Sequence, residues 1–131
     1  TGAREVKGDG VVWKSLDAHV ADVRELARSM RSRSPGQMVT TKRGKGDSHC
    51  PRDFSYKDAT KQLDVSGMDA VIGLRQLDDG GWEMLVEPRV TMEQLVRAAA
   101  PYNLRPPVVP EFRKITVGGS IAGVAGGGGL F

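Results

Sequence analysis

Cysteine is all but missing from this 131-residue sequence, which has only Cys50. One thiol excludes an intramolecular disulfide, so no disulfide framework sets the fold. Histidine is nearly as scarce. His49 adjoins Cys50 and His19 stands far off, so the spaced ligand pairs of a structural zinc site are missing. Aromatic residues make up 5%, and none interleave with the basic residues as a stacking platform for single-stranded nucleic acid would need. No run approaches the roughly 20 apolar residues that cross a bilayer, and no signal-peptide pattern opens the sequence. What is present is 39% apolar residues, enough for one small core, and a net charge of +3.

The basic charge is unevenly placed. Arg24, Arg28, Arg31, Arg33, Lys42, Arg43, Lys45 and Arg52 all fall in the first half. Such a patch suits nucleic acid, acidic lipid or a phosphorylated cofactor. A solvated helix face followed by a basic loop accounts for it equally well.

Ser15 suits an N-cap, with Asp17 in the first turn. Leu16, Val20, Val23, Ala27 and Met30 then recur at helical spacing and lay one apolar stripe along about four turns. Ser34-Pro35-Gly36 ends that helix. Residues 37–42 (QMVTTK) read as a strand, RGKGDSHCPRD as a polar loop, and residues 62–65 as a second strand. Segments 70–77 and 82–87 flank Asp78-Asp79-Gly80-Gly81, a hairpin signal because Asp-Gly tolerates positive φ. Thr91 with Gln94 three residues on forms a capping-box pattern, and Met92, Leu95, Val96 and Ala99 supply the buried face behind it. Asn103 suits the left-handed residue that stops a helix. Pro106, Pro107 and Pro110 then hold an extended segment. The order predicts an α+β fold, a small mixed β-sheet with two flanking helices, with residues 1–14 as a leader, 15–125 as the core and 126–131 as a glycine-rich tail.

Two glycine-rich stretches are candidates for chemistry. Arg43-Gly44-Lys45-Gly46-Asp47-Ser48 follows a strand, where glycines let backbone N–H groups converge on an anion while Arg43, Lys45 and the Ser48 hydroxyl add donors. Its spacing matches neither a Walker A loop nor G-x-G-x-x-G, and a plain surface turn also explains it. In Thr116-Val117-Gly118-Gly119-Ser120-Ile121-Ala122-Gly123 the adjacent glycines let bare backbone approach a flat ligand, a pyrophosphate or a neighbouring strand. Gly126–Gly129 read either as a natural loop or as a linker.

In combination these stretches resemble a known order: strand-ArgGlyxGlyxSer, then VEPxVTMEQL, then PPVVPE and TVGG. The sequence resembles the flavin-binding domain of the vanillyl-alcohol-oxidase type, also called the PCMH-type FAD domain. LVEPRVTMEQLVRAAAPYNLRPPVVPEFRKITVGG is most similar to the delta(24)-sterol reductases, the diminuto group. The resemblance runs from about Gln37 to Ile121 and implies the N-terminal portion of such a domain. It places Arg43, Gly44, Lys45, Gly46, Asp47 and Ser48 against the FAD pyrophosphate. It makes Thr116, Val117, Gly118, Gly119, Ser120, Ile121, Ala122 and Gly123 a wall of the FAD site, preceded by Pro110 and Glu111.

Further expectations follow from the same resemblance. Gly46-Asp47-Ser48 stands where relatives with histidyl-linked flavin have Gly-His-Ser, which implies non-covalent FAD. Arg89 follows Pro88 where most of the superfamily has glycine, as in the sterol-reductase branch. The activity implied is reduction of a C=C bond in a sterol side chain by hydride transfer through FAD, with NADPH as electron donor. Alternatives are a hydroxy-acid or alditol oxidase, an ether-lipid synthase, or, in another class, a basic module for nucleic acid or acidic lipid. The C-terminal half of the flavin domain and the substrate cap are expected outside this sequence, so these 131 residues alone are expected to be inactive and hold no nameable catalytic residue. The expected partners are FAD and, in the full-length enzyme, a small-molecule substrate of sterol type, with no nucleic acid and no membrane span in this chain; the resemblance implies an intracellular full-length protein associated with the endoplasmic reticulum.

Overall fold

The computed structural model describes residues 4–42, 55–110 and 112–122. Four strands form one mixed sheet, in the spatial order β1 (Arg4–Val6), β2 (Val12–Lys14), β5 (Val71–Gln76) and β6 (Trp82–Val86). β1 and β2 are antiparallel, β2 and β5 parallel, and β5 and β6 form an antiparallel hairpin. A separate parallel pair joins β3 (Val39–Thr41) to β4 (Lys61–Leu63). Helices α1 (Leu16–Arg31) and α2 (Met92–Ala99) flank the larger sheet, and a six-residue helix, α3 (Val117–Ala122), follows the proline-rich segment. The fold is α+β, with a small mixed sheet and a few helices.

Several elements form where local chemistry dictates. The Ser15 side chain accepts the Ala18 N–H at 3.2 Å and starts α1. At α2 both halves of the capping box are made: Thr91 Oγ1 accepts the Gln94 N–H, and Gln94 Oε1 accepts the Thr91 N–H. Asn103 stops the following 3-10 turn at φ 57°. In the hairpin Gly80 takes φ 84°, and the Leu77 N–H donates to the Gly81 carbonyl at 2.7 Å.

Successive residues of β2 face opposite sides of the sheet. Trp13 packs with Val11, Val71 and Ala98 of α2, together with Met84 and Val86. Val12 and Lys14 are buried on the other side, where Lys14 reaches Asp22 of α1. The stretch expected to be a leader is therefore built into the fold: residues 4–14 supply two strands, β2 lies inside the sheet, and Val11 and Val12 belong to the core. These strands have three residues each, held by pairing with each other and, for β2, with β5. The α1 stripe is less buried than its periodicity predicts, with Leu16, Val23 and Met30 exposed. That helix packs on β4 and β5, and Asp22 ties it to Lys14 of β2.

Candidate functional site

Lys14 of β2 and Glu87 meet Asp22 and His19 of α1 in a polar cluster between that helix and the sheet. The Lys14 side chain is 4% exposed and that of Glu87 not at all. Lys14 Nζ donates to Asp22 Oδ2 at 2.6 Å, to the Gly67 carbonyl at 3.0 Å, and to Glu87 Oε1 and Oε2 at 2.9 and 3.0 Å. Glu87 Oε2 also accepts the Ala70 N–H at 2.9 Å, while Oε1 meets His19 Nδ1 at 2.8 Å. A carboxylate only accepts, so His19 Nδ1 carries the proton in that contact. Both oxygens of this fully buried carboxylate are thus occupied, the condition on which a buried charge is tolerated.

Burial pulls the Lys14 pKa down, but the hydrogen bonds to Asp22 and Glu87 and the negative charge of both together outweigh it and hold the group above its ordinary 10.5. A pKa raised in the folded state gives stability that is complete below the unfolded value and is lost as pH rises through the folded one. The unfolding midpoint is therefore expected to fall as pH climbs past 10.5. Lys14→Met is expected to lack that alkaline component. Thermal unfolding of both proteins across this range checks it.

Glu87 opens the segment on which the second glycine-rich stretch docks. The Glu87 N–H donates to the Ala70 carbonyl and the Arg89 N–H to the Met68 carbonyl, which stretch the chain along the end of the sheet. The carbonyls on this segment receive α3: Gly118 N–H donates to Pro88 at 2.9 Å and Val117 N–H to Val90 at 2.8 Å. Thr91 and Thr116 form an antiparallel bridge, and the Met92 N–H donates to the Ile115 carbonyl at 2.8 Å. Thr116 Oγ1 then accepts the Gly119 N–H at 3.1 Å, as an N-cap threonine does.

This geometry revises why the glycines are there. The sequence leaves Gly118 and Gly119 open to a turn whose amides meet a ligand or to close packing on neighbouring backbone. They lie inside α3, and among the described residues the left-handed glycines are Gly10, Gly36 and Gly80. A Cβ on Gly118 would fall 2.6 Å from Pro88 Cβ and 3.0 Å from the Pro88 carbonyl oxygen. Gly118 is glycine because Pro88 occupies the space of a side chain. The amides of Val117, Gly118 and Gly119 all donate within the chain and are not a free cradle.

Two features of α3 do suit a bound group. Ser120 Oγ is buried and has no hydrogen-bond partner among the described residues. Gly119, Ile121 and Ala122 are exposed, Ile121 by 76%. A planar cofactor needs such a surface of small and apolar residues with a hydroxyl at its edge. Of the other expected site residues, Pro110 is buried just ahead of this segment. Arg43, Gly44, Lys45, Gly46, Asp47 and Ser48 lie outside the described residues, as do Glu111, Gly123 and the Gly126–Gly129 run.

Elsewhere, a pocket of about 350 Å³ opens between the β5–β6 hairpin, α2 and Pro106-Pro107, lined by Leu74, Trp82, Met84, Leu95 and Leu104 among others. None of the expected site residues lines it. Among the described residues no group of three or more His, Cys, Asp or Glu side chains can hold a metal ion, and no helix is long and apolar enough to cross a membrane. The charged cluster escapes sequence reading because its members are scattered. The one local hint is Lys14 at the end of Val-Val-Trp-Lys, on an otherwise apolar strand.

The sequence model of one protein family, described as an FAD binding domain, matches residues 14–131. The chain is 30% identical over 118 residues to a delta(24)-sterol reductase from Pisum sativum, covering 85% of this chain and 20% of that protein. It is 39% identical over 57 residues to a decaprenylphosphoryl-beta-D-ribose oxidase from Mycolicibacterium smegmatis, covering 44% of this chain and 12% of that protein. The chain therefore spans at most about a fifth of the length of these relatives. No solved structure matches it.

Proposed function

The chain belongs to the FAD binding domain family of flavin oxidoreductases, and from that membership we propose that it forms the N-terminal part of the flavin site in a delta(24)-sterol-reductase-like enzyme. The observation that carries the cofactor assignment is the buried, unpartnered Ser120 hydroxyl beside the exposed surface of Gly119, Ile121 and Ala122. The reductase-like assignment draws on the likeness to the Pisum sativum protein, which extends over most of this chain.

In this reading Arg43 and Lys45 neutralise the cofactor diphosphate, the amides around Gly44 and Gly46 donate to it, and Ser48 adds a hydroxyl. With Asp47 where a linking histidine would stand, the cofactor in this reading is held non-covalently. Thr116, Val117 and Gly118 frame the second wall through their bonds to the Pro88–Thr91 segment, while Ser120 and the exposed side of α3 meet the cofactor. FAD, when bound, supplies a centre that takes or gives a hydride, with NADPH as donor and a C=C bond of the sterol side chain as acceptor. The substrate groups belong to parts of the enzyme beyond these residues, as does any catalytic acid.

The test is a titration of the purified chain with FAD, followed by quenching of flavin fluorescence, with ADP as competitor. Saturable quenching that ADP reverses, and that Ser120→Ala weakens, is expected. Quenching insensitive to ADP, or no quenching at all, overturns the reading. Binding that instead follows any polyanion and collapses with salt favours a basic binding module.

A further inference from the structure

We propose that the buried Lys14–Glu87 pair is a positioning device for the flavin wall, with Glu87 acting through Pro88 on Gly118. The inference rests on the cofactor reading above but concerns residues which that reading does not use. A fully buried carboxylate is an expensive way to anchor a strand end, since well-packed apolar residues at a buried ion-pair site are often as stable or more so. What the charge adds here is location. Glu87 is held from several directions: by the Lys14 ammonium, by His19 on α1, by the Ala70 amide and, through Lys14, by the Asp22 and Gly67 oxygens. Each contact fixes one side of the carboxylate, and together they leave one placement for the backbone at position 87.

The next residue transmits that placement. Pro88 has its ring-fixed φ, its carbonyl receives the Gly118 N–H, and its Cβ and Cα occupy the space of a Gly118 side chain. Val90, held by its own N–H to the Glu87 carbonyl at 3.1 Å, receives the Val117 N–H. A displacement of Glu87 therefore moves both acceptors that seat the start of α3, and with them Ser120 one turn on. The cluster lies under α1 on one face of the sheet and α3 meets the segment at its end, so Glu87 is not a candidate for contact with the cofactor.

Amide hydrogen exchange on the FAD-free chain tests the transmission, and FAD titration tests its consequence. In Glu87→Gln the Val117 and Gly118 amides are expected to exchange roughly tenfold faster, while amides of the β5–β6 hairpin near Arg75 and Glu83 keep their rates. FAD affinity is expected to fall by a similar factor. Asp22→Asn, on a half-exposed side chain, gives a smaller change of the same pattern and serves if Glu87→Gln does not fold. Equal acceleration of all amides marks a merely structural pair and overturns the proposal. Unchanged exchange at residues 117 and 118 overturns it too, as does faster exchange there with unaltered FAD affinity. A wild-type chain that ignores FAD defeats the cofactor reading alone, and the exchange pattern then decides whether the pair seats α3.

Discussion

Gly118→Ala is expected to destabilise the protein by about 1–3 kcal/mol, the usual range for overpacking, and to weaken FAD binding. Two effects oppose each other at this position. Inside a helix, alanine is favoured over glycine by roughly 1 kcal/mol, so propensity alone predicts a more stable protein. Against that, the new Cβ would fall 2.6 Å from Pro88 Cβ and 3.0 Å from the Pro88 carbonyl oxygen. Those atoms belong to a ring and a backbone held in place by Glu87 and Val90, so nothing nearby swings away. The clash prevails, and relieving it breaks the bond from the Gly118 N–H to the Pro88 carbonyl. The control is Gly73→Ala in β5, where a Cβ meets nothing within 4 Å. Urea unfolding of the two variants separates the readings. A neutral or stabilised Gly118→Ala protein shows that α3 does not dock on Pro88.

Lys14→Met is expected to cost about 3–5 kcal/mol, the penalty for leaving a buried charge without its partner. That is a large share of the roughly 5–15 kcal/mol by which a domain is stable. Glu87 has no exposure to water, so the solvent cannot replace the ammonium, and His19 and the Ala70 amide are the donors left to it. Asp22 loses less because its side chain is half exposed. The double variant Lys14→Met, Glu87→Leu removes both charges and is expected to recover most of the loss. Recovery stays incomplete because the Ala70 N–H then lacks its side-chain acceptor, a deficit of about 1–3 kcal/mol. The double-mutant cycle is read by urea unfolding. If the single change costs no more than a surface substitution, the pair is not buried as described.

Much of the secondary structure was legible because its causes are local. Thr91 and Gln94 lie three residues apart and satisfy each other's backbone partners; Asp79-Gly80 turns a chain whatever surrounds it; Asn103 adopts the left-handed conformation where the spacing of Met92, Leu95 and Ala99 ends. Strand β4 illustrates the limits of such reading. It runs from Lys61 to Leu63 rather than over 62–65, since its ends are set by pairing with Val39–Thr41. Strands β1 and β2 were not read as strands, and each takes its geometry from the pairing beside it.

The candidate site divides along the same line. Family membership could be read from residue order, for it depends on which side chains follow which. The reason for the glycines of α3 could not, because the atom that forbids a side chain at Gly118 belongs to Pro88, thirty positions earlier. Nor could the ion pair, whose members stand 73 residues apart. By itself the sequence determined the turns, the caps and the family, all of which arise from neighbours along the chain. Tertiary structure alone decided which charges are buried together and which backbone leaves no room for a Cβ, because excluded volume and desolvation act between groups that only folding brings into contact.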